Sequence, residues 1–196
     1  MTPRARRLTG ETRGAAAVEF ALAVPILLTL LLGALEVGLN LYLRSVLEGA
    51  LLMAGRSSSL QAAQAGQAAI DATVESQIHA ILPSASVTFS RRNYVAFSDR
   101  GRPEDFTDAN ANDAYDPGEC FTDENDNGQW DTDVGKAGQG GANDVVLYTA
   151  SVDYRSVLPD FSTLGMAGLR TISASTTLRN QPFSVQTARV SHRICT

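Results

Sequence analysis

The sequence has few of the residues that most often carry out chemistry. Its 196 residues include one Lys, two His and two Cys, and no G-x-S-x-G elbow or paired base accompanies His192. Basic residues are scattered outside the first fourteen positions, whereas nucleic-acid binding needs clustered Lys and Arg. No CxxC or Cys/His spacing supports a zinc site. We therefore expect neither an enzyme nor a nucleic-acid-binding protein.

Charge is nearly absent from one segment and concentrated in another. Residues 15–35 contain one ionisable side chain, Glu19, whereas residues 99–133 hold twelve of the twenty-one acidic residues. The first fourteen residues carry four Arg and one Glu, so the rest of the chain has twelve basic and twenty acidic side chains, a net charge of -8. This distribution excludes a uniform globule and indicates an apolar segment followed by an acidic head.

The apolar segment predicts a membrane-spanning helix. A basic flank before about twenty apolar residues favours a span whose N-terminal end stays in the cytoplasm. A secretory signal peptide is the alternative, but its apolar region is usually shorter, and no small-x-small cleavage site closes this run before Glu36. We expect the segment to be retained, with the remaining chain outside the cytoplasm.

Glu19 lies inside this apolar segment. A carboxylate within a membrane helix costs roughly 2.5–3.5 kcal/mol and usually marks function. Cleavage after Gly14 would create an amino group on Ala15, one helical turn before Glu19 and on the same face. The alternative is a plain signal anchor in which Glu19 only reaches the membrane interface.

The segment from Gly14 through Pro25, followed by a Leu-rich run to Glu36, resembles the start of TadE-like pseudopilins (minor pilins). These belong to the tight-adherence (Tad/Flp, type IV-like) pilus system. The C-terminal run from Leu178 to Phe183, Leu-Arg-Asn-Gln-Pro-Phe, is similar to the Arg-Asn-Glu-Pro-aromatic ending of that family, with Gln181 replacing Glu.

The resemblance implies a processing signal at Gly14, Ala15 and Glu19, where a prepilin peptidase removes residues 1–14 on the cytoplasmic side. The expected partners are that peptidase, other pilins or pseudopilins, the Tad assembly machinery and membrane lipid. The implied location is the bacterial inner membrane, single-pass, with a cytoplasmic N-terminus and a periplasmic head that can enter a surface pilus.

The remaining periodicity predicts an α+β head. Helical spacing continues to Ala54, and a second apolar stripe from Ile70 to Ile81 predicts another helix that Pro83 stops. Alternation then predicts four short antiparallel strands near residues 87–89, 94–97, 146–154 and 172–178. The predicted organisation is a leader (1–14), a transmembrane and stalk helix (15–54), the second helix and first strands (55–98), an acidic insertion (99–143) and C-terminal strands (144–196).

The acidic insertion contains a repeat with a fifteen-residue offset. Oxygen-bearing side chains occupy positions 1, 3, 5 and 9 of two calcium-type loops, the first loop (residues 108–119) and the second loop (residues 123–134). These predicted ligands are Asp108, Asn110, Asn112, Asp116, Asp123, Asn125, Asn127 and Asp131.

Neither loop follows the calcium pattern completely. The first has Glu119 at position 12 but Asp113 in place of the position-6 glycine. The second has Gly128 at position 6 but Val134 at position 12, so Asp133 or water would have to substitute. Only oxygen ligands are offered, which favours calcium over zinc or copper. The alternative is a solvated Asn/Asp/Gly-rich loop.

Cys120 and Cys195 form an even pair that lies 75 residues apart. In an oxidising compartment we expect a disulfide, worth roughly 4 kcal/mol in the chain-entropy model; two unpaired thiols are the alternative.

Taken as a whole, the sequence predicts a processed pseudopilin of a Tad/Flp adhesive pilus. The other prediction is an uncleaved, membrane-anchored, calcium-dependent binding module outside the cytoplasm.

Overall fold

The computed structural model describes residues 14–59, 66–156, 168–182, 185–186 and 188–195. The described residues form two compact units, which divide between Tyr42 and Leu43, between Tyr154 and Arg155, and between Arg170 and Thr171. The predicted basic leader before Gly14 and the terminal Phe183 of the C-terminal motif lie outside the described residues.

Helix α1 spans Ala15–Ser58 and includes the whole apolar segment. An 18-residue window of α1 has a mean hydropathy of 2.3 with none of it buried, and among the described residues α1 alone is long and apolar enough to cross a membrane. Pro25 lies inside the helix, and the Thr29 hydroxyl donates to the Pro25 carbonyl oxygen at 2.8 Å. The predicted helix end at Ala54 is four residues short of the observed one.

The C-terminal part of α1 buries one apolar stripe in the head. Leu43, Leu47, Ala50 and Ala54 recur at spacings of three and four residues, and all four are buried. Gly55 continues this face against the sheet: a Cβ at that position would stand 3.2 Å from Thr176 Cγ2. The missing side chain thus allows the helix and the sheet to pack closely.

Helix α2 spans Gln67–His79 and buries Val74 and Ile78. A polar contact joins it to the sheet, because the Arg91 guanidinium donates to both carboxylate oxygens of Asp71, at 3.0 and 2.5 Å. The Tyr148 hydroxyl donates to the same carboxylate, and the Arg91 guanidinium carbon lies 4.1 Å from the centre of the Tyr148 ring. These contacts orient α2 on the strands.

The main sheet has four strands in the order β3-β1-β4-β5. Strand β1 (Ser86–Tyr94) pairs antiparallel with the short β3 (Lys136–Ala137) on one side and with β4 (Val145–Arg155) on the other; β5 spans Leu169–Arg179. Along β4, alternate residues from Val146 to Tyr154 are buried, as a one-sided core requires. The predicted α+β class, a long apolar helix followed by a head with a small antiparallel sheet, is confirmed.

Two details of the predicted strands differ. The segments near residues 87–89 and 94–97 are not two strands, because β1 runs without a break to Tyr94 and a 3-10 turn follows at Phe97–Asp99. The Asp99 carboxylate accepts the backbone N–H of Ala96 at 3.0 Å and closes that turn. A separate two-stranded sheet pairs β2 (Phe121–Asp123) with β6 (His192–Ile194).

Candidate functional site

The predicted processing residues lie at the start of α1. Gly14 precedes the helix, and its carbonyl oxygen accepts the backbone N–H of Val18 at 3.1 Å. Ala15 follows, and Glu19 comes one turn later on the same helical face. Gly14, Ala15 and Glu19 are all exposed, so the described part of the chain does not cover the bond after Gly14.

The C-terminal Arg-Asn-Gln-Pro motif joins the end of α1 to the head. The Asn180 amide is buried and exchanges hydrogen bonds with Gln139, donating to its carbonyl oxygen at 2.8 Å and accepting from its side chain at 3.0 Å. The Gln139 side chain also donates to the Ser58 carbonyl oxygen at 2.9 Å, and the Gln181 N–H donates to that of Ser59 at 3.0 Å. The motif thereby satisfies carbonyl groups that a helix end leaves without partners.

The first loop folds around two carboxylates. Asp108 accepts the backbone N–H groups of Asn110, Asn112 and Asp113 at 3.2, 3.2 and 2.8 Å. The side-chain amides of Asn110 and Asn112 both donate to Asp116 Oδ2, at 2.7 and 2.8 Å. The structure therefore brings all four predicted ligands at positions 1, 3, 5 and 9 into one network.

The second loop repeats this network. Asp123 accepts the backbone N–H groups of loop positions 4 and 6 at 2.6 and 2.8 Å. The side-chain amides of Asn125 and Asn127 both donate to Asp131 Oδ2, at 2.7 and 2.5 Å. The two loops thus share their side-chain contacts as well as their sequence pattern.

The backbone of the two loops also corresponds at positions 4 and 6. Ala111 and Asp113 of the first loop both have φ of 59°, and Asp126 and Gly128 of the second have φ of 65° and 78°. Asp tolerates this left-handed region better than most residues with a side chain, which accounts for a fold without the usual glycine at Asp113.

The acidic residue that completes each loop comes from a different place in the chain. In the first loop, Glu119 at position 12 accepts the backbone N–H groups of positions 2 and 9 at 2.8 and 3.0 Å. In the second loop, the N–H groups of the same two positions donate to Glu104, at 2.8 and 3.1 Å. Glu104 is 1% exposed and lies nineteen residues before the start of that loop.

The residues at the end of the second loop have other partners. Asp133 accepts the Tyr94 hydroxyl at 2.9 Å and pairs with Arg92 at 3.2 Å, and Val134 is buried beside Tyr94. Burial and the contact with Asp133 raise the pKa of Tyr94 to about 12. Glu104, rather than Asp133, makes the contacts that Glu119 makes in the first loop.

An aromatic cluster joins the two loops. Phe106 and Phe121 form an antiparallel bridge, and each precedes its loop by two residues; Tyr115 and Trp130 both occupy position 8 and stack at 4.7 Å. Edge-to-face contacts connect Phe106 to Tyr115 and Trp130, and Tyr115 to Phe121. The repeat is therefore a paired structure with equivalent residues facing each other.

A disulfide anchors this pair to the C-terminus. Cys120 is bonded to Cys195, and the neighbouring residues of each pair in the β2–β6 sheet. The guanidinium of Arg193 in β6 donates to the Thr107 hydroxyl at 3.1 Å, which adds a contact to the start of the repeat.

Electrostatics differ among the loop carboxylates. Hydrogen bonds from backbone N–H groups, that of Asp113 foremost, lower the pKa of Asp108. For Asp123, burial acts to raise the pKa, yet the N–H groups of Gly128, Asp126 and other loop residues lower it overall. Glu104 shows the opposite result, because burial raises its pKa despite accepted hydrogen bonds. A proton on Glu104 is therefore held more readily than on an ordinary glutamate.

Within the described residues, no three His, Cys, Asp or Glu side chains are grouped so that they could hold a metal ion. In both loops, side-chain amide nitrogens contact the carboxylate at position 9. The amide nitrogens, and not the amide oxygens, therefore face these carboxylates, whereas oxygen ligands are the ones that hard cations such as calcium prefer.

These features define a class: a protein with an apolar, membrane-type N-terminal helix that continues into an α+β head. Residues 14–56 match the family TadE-like protein, which confirms the predicted resemblance. The matched segment begins at Gly14 and ends two residues before the end of α1, so that about a fifth of the chain is similar to this family. No curated protein and no solved structure matches the chain.

Proposed function

We propose that the chain is a pseudopilin, or minor pilin, in the biogenesis of a Tad/Flp adhesive pilus. The observation that carries the proposal is that the TadE-like match coincides with α1, in which most apolar residues between Val18 and Leu35 are exposed. An exposed apolar helix of this length is stable only in lipid or against other apolar helices. The role is structural, in helix packing and head contacts, and not enzymatic.

In this function a prepilin peptidase cuts the chain after Gly14. Gly14 has no side chain to obstruct the protease, and it is exposed immediately before the start of α1. The new amino group of Ala15 then lies one turn from Glu19, where the opposite charges reduce the cost of placing the carboxylate in the membrane. The Glu19 carboxylate of a neighbouring subunit is an alternative partner for the Ala15 amino group.

The proposed topology has the N-terminus in the cytoplasm and the head in the periplasm. Its support is the four Arg that precede Ala15, which favour retention on the cytoplasmic side. The bond between Cys120 and Cys195 adds support, since disulfides persist in oxidising compartments. The partners are the peptidase, other pilins or pseudopilins, the Tad assembly machinery and membrane lipid.

N-terminal sequencing of the protein purified from membranes tests this proposal. Ala15 as the first residue is the expected result, whereas retention of residues 1–14 would contradict it. A Glu19→Ala variant is expected to be cut but not to support pilus formation. The matched control is Glu48→Ala, which removes an exposed carboxylate of the same helix, paired only with Arg44 four residues away, and should leave both steps intact.

We also propose that the acidic insertion binds calcium through the first and second loops. The supporting observation is that the ligands predicted at positions 1, 3, 5 and 9 form the same network in both loops. Carboxylates brought together in this way repel one another, and a divalent cation relieves the repulsion.

The paired loops also favour a second candidate function, an uncleaved membrane-anchored module whose head binds its partner through calcium. The sequencing experiment separates the two, because the module keeps residues 1–14 and the pseudopilin does not.

A further inference from the structure

We propose that Glu104 is the missing acidic ligand of the second loop, so that the second loop forms a complete calcium site together with a segment that lies upstream of the first loop. This inference rests on the proposed calcium binding and adds the residue that completes the site. Glu104 lies outside any twelve-residue loop pattern, so the pattern alone does not assign it.

The repeat itself contains Glu104. Extending the fifteen-residue offset two positions before Phe106 aligns Glu104 with Glu119, and each Glu precedes the first Asp of the following loop by four residues. Glu119 is the last residue of the first loop and contacts that loop, whereas Glu104 precedes the first loop and contacts the second loop. Glu104 and Glu119 therefore occupy equivalent positions of the repeat. The two carboxylate oxygens of each accept the backbone N–H groups of positions 2 and 9 of its loop.

An unsatisfied buried atom points to a ligand in the second loop. Asn125 is 7% exposed, and its Oδ1 has no hydrogen-bond partner. The other end of the same amide donates to Asp131 Oδ2 at 2.7 Å, so a turn of this amide brings Oδ1 toward Asp131 without breaking any hydrogen bond of that oxygen. A buried acceptor without a partner is destabilising, and turning this oxygen onto a cation beside Asp131 removes that cost.

Glu104 itself is a buried carboxylate without a cationic partner. Its two oxygens accept backbone N–H groups from positions 2 and 9 of the second loop, and no basic side chain in the described segments forms an ion pair with it. A buried charge of this kind is costly unless it is paired or coordinates a metal. Calcium, which accepts a bidentate Glu, supplies the compensation.

Binding requires side chains of the second loop to turn, because no three acidic side chains among the described residues are now grouped as metal ligands. The Asn125 and Asn127 amides now direct nitrogen toward Asp131 Oδ2. Half a turn of the Asn125 amide, whose Oδ1 has no partner, exchanges nitrogen for oxygen, so that this oxygen and the carboxylates of Asp123, Asp131 and Glu104 can turn toward one cation. The Asn127 Oδ1 accepts the Gln129 N–H at 2.7 Å, so the Asn127 amide does not turn freely. Three carboxylates exceed the charge of one calcium ion, which favours binding.

Neighbouring basic side chains are already compensated. A shallow cavity beside the second loop is lined by Asn125, Asn127, Asp131 and also by Arg92 and Lys136. Arg92 pairs with Asp133 at 3.2 Å, and Lys136 lies 3.7 Å from Asp126. Their positive charges are therefore reduced near the proposed ligands.

The test is calorimetric titration of calcium into the full chain in detergent micelles, comparing Glu104→Gln with Asp105→Asn. Asp105 is the adjacent residue, with an 83% exposed side chain, so its variant removes the same charge without touching the loop. We expect the wild type and Asp105→Asn to bind two ions. Glu104→Gln should lose one ion or bind it at least about ten-fold more weakly.

The outcomes separate the two proposals. Absence of calcium binding by the wild type overturns both calcium proposals but leaves the pseudopilin function standing. Two ions bound equally by Glu104→Gln and Asp105→Asn overturn only the assignment of Glu104. If Glu104→Gln fails to fold, as judged by loss of the Cys120–Cys195 disulfide, Asn125→Ala decides: loss of one ion supports the second site, and retention of both overturns it.

Terbium luminescence gives a second readout of the same site. Trp130 is the only Trp, and its indole N–H donates to the Glu104 carbonyl oxygen at 2.9 Å. Terbium bound in the second loop should therefore be excited through Trp130. Emission should fall in Glu104→Gln but not in Asp105→Asn, and equal emission in both contradicts the assignment.

Discussion

The two acidic loops have the same network but different surroundings. In the first loop, Asn110 and Asn112 are exposed and Asp108 is half-buried, whereas in the second loop Asp123 is 2% exposed and Asn125 is 7% exposed. The repeated sequence determines which contacts form. The surroundings determine what each contact is worth, because an unsatisfied polar group costs little in water and much in the interior.

The largest difference between the loops is expected from Asp123→Ala and Asp108→Ala without calcium. Removing the buried Asp123 carboxylate takes the acceptor away from the backbone N–H groups of positions 4, 5 and 6 of the second loop, which should cost about 1–3 kcal/mol in the free energy of unfolding. Asp108→Ala should cost clearly less, because water can replace the carboxylate. Urea unfolding of the full chain in detergent measures both losses through the shift of the midpoint. Equal losses would remove the distinction between the loops.

A smaller difference is expected at position 6. Gly128 has a φ of 78° and open space where a Cβ would lie, so Gly128→Ala pays only the backbone cost of the left-handed region, about 1–2 kcal/mol. Asp113 holds the same position in the first loop with a side chain already present. Asp113→Gly should therefore change stability by less than about 1 kcal/mol. The same urea experiment compares them, and a larger change for Asp113→Gly would contradict the equivalence of the two backbones.

The smallest difference concerns pH. Asp123 has a lowered pKa, so its contribution to stability is present above its ordinary value and is lost as pH falls through the lowered pKa. Glu104 has a raised pKa, so its contribution is present below its ordinary value and is lost as pH rises through the raised pKa. In the second loop, one carboxylate thus loses its contribution as pH falls and the other loses it as pH rises. In the first loop, Asp108 has a lowered pKa, so its contribution is lost as pH falls, like that of Asp123.

Calcium-free unfolding between pH 3 and 7 checks this prediction. The stability advantage of wild type over Asp123→Asn should shrink toward acid pH. The advantage over Glu104→Gln should shrink in the opposite direction, as pH rises. A common direction for the two variants would show that burial does not dominate at Glu104.

The sequence predicted the parts of the fold that have long periodic patterns. The apolar run and its continuation predicted α1, and the alternation from Val146 to Tyr154 predicted β4, because many positions report the same face. Strands β3 and β6 have two and three residues, too few to show a period, and they were not predicted. The end of β1 was placed wrongly because Val95 and Phe97 continue the apolar composition beyond the strand.

The loop ligands at positions 1, 3, 5 and 9 were predictable because they are local in sequence. Glu104 was not, because the expected position-12 acid of the second loop was sought at its end, where Val134 stands. The available signal was the repeat itself, which extends back to Glu104 and Glu119. Which loop each Glu serves depends on the pairing of Phe106 with Phe121, a contact that no twelve-residue pattern contains.

The bond between Cys120 and Cys195 makes a covalent ring of the chain between them. The second loop, β4 and β5 belong to this ring, while the first loop and Glu104 precede it. A protease that cuts once between residues 121 and 194 therefore produces two pieces, and the disulfide keeps both covalently joined to α1. A cut between α1 and residue 120 instead leaves the ring attached by non-covalent contacts alone, such as the pairing of β1 with β4. The position of one cleavage thus decides whether the head stays covalently attached to α1.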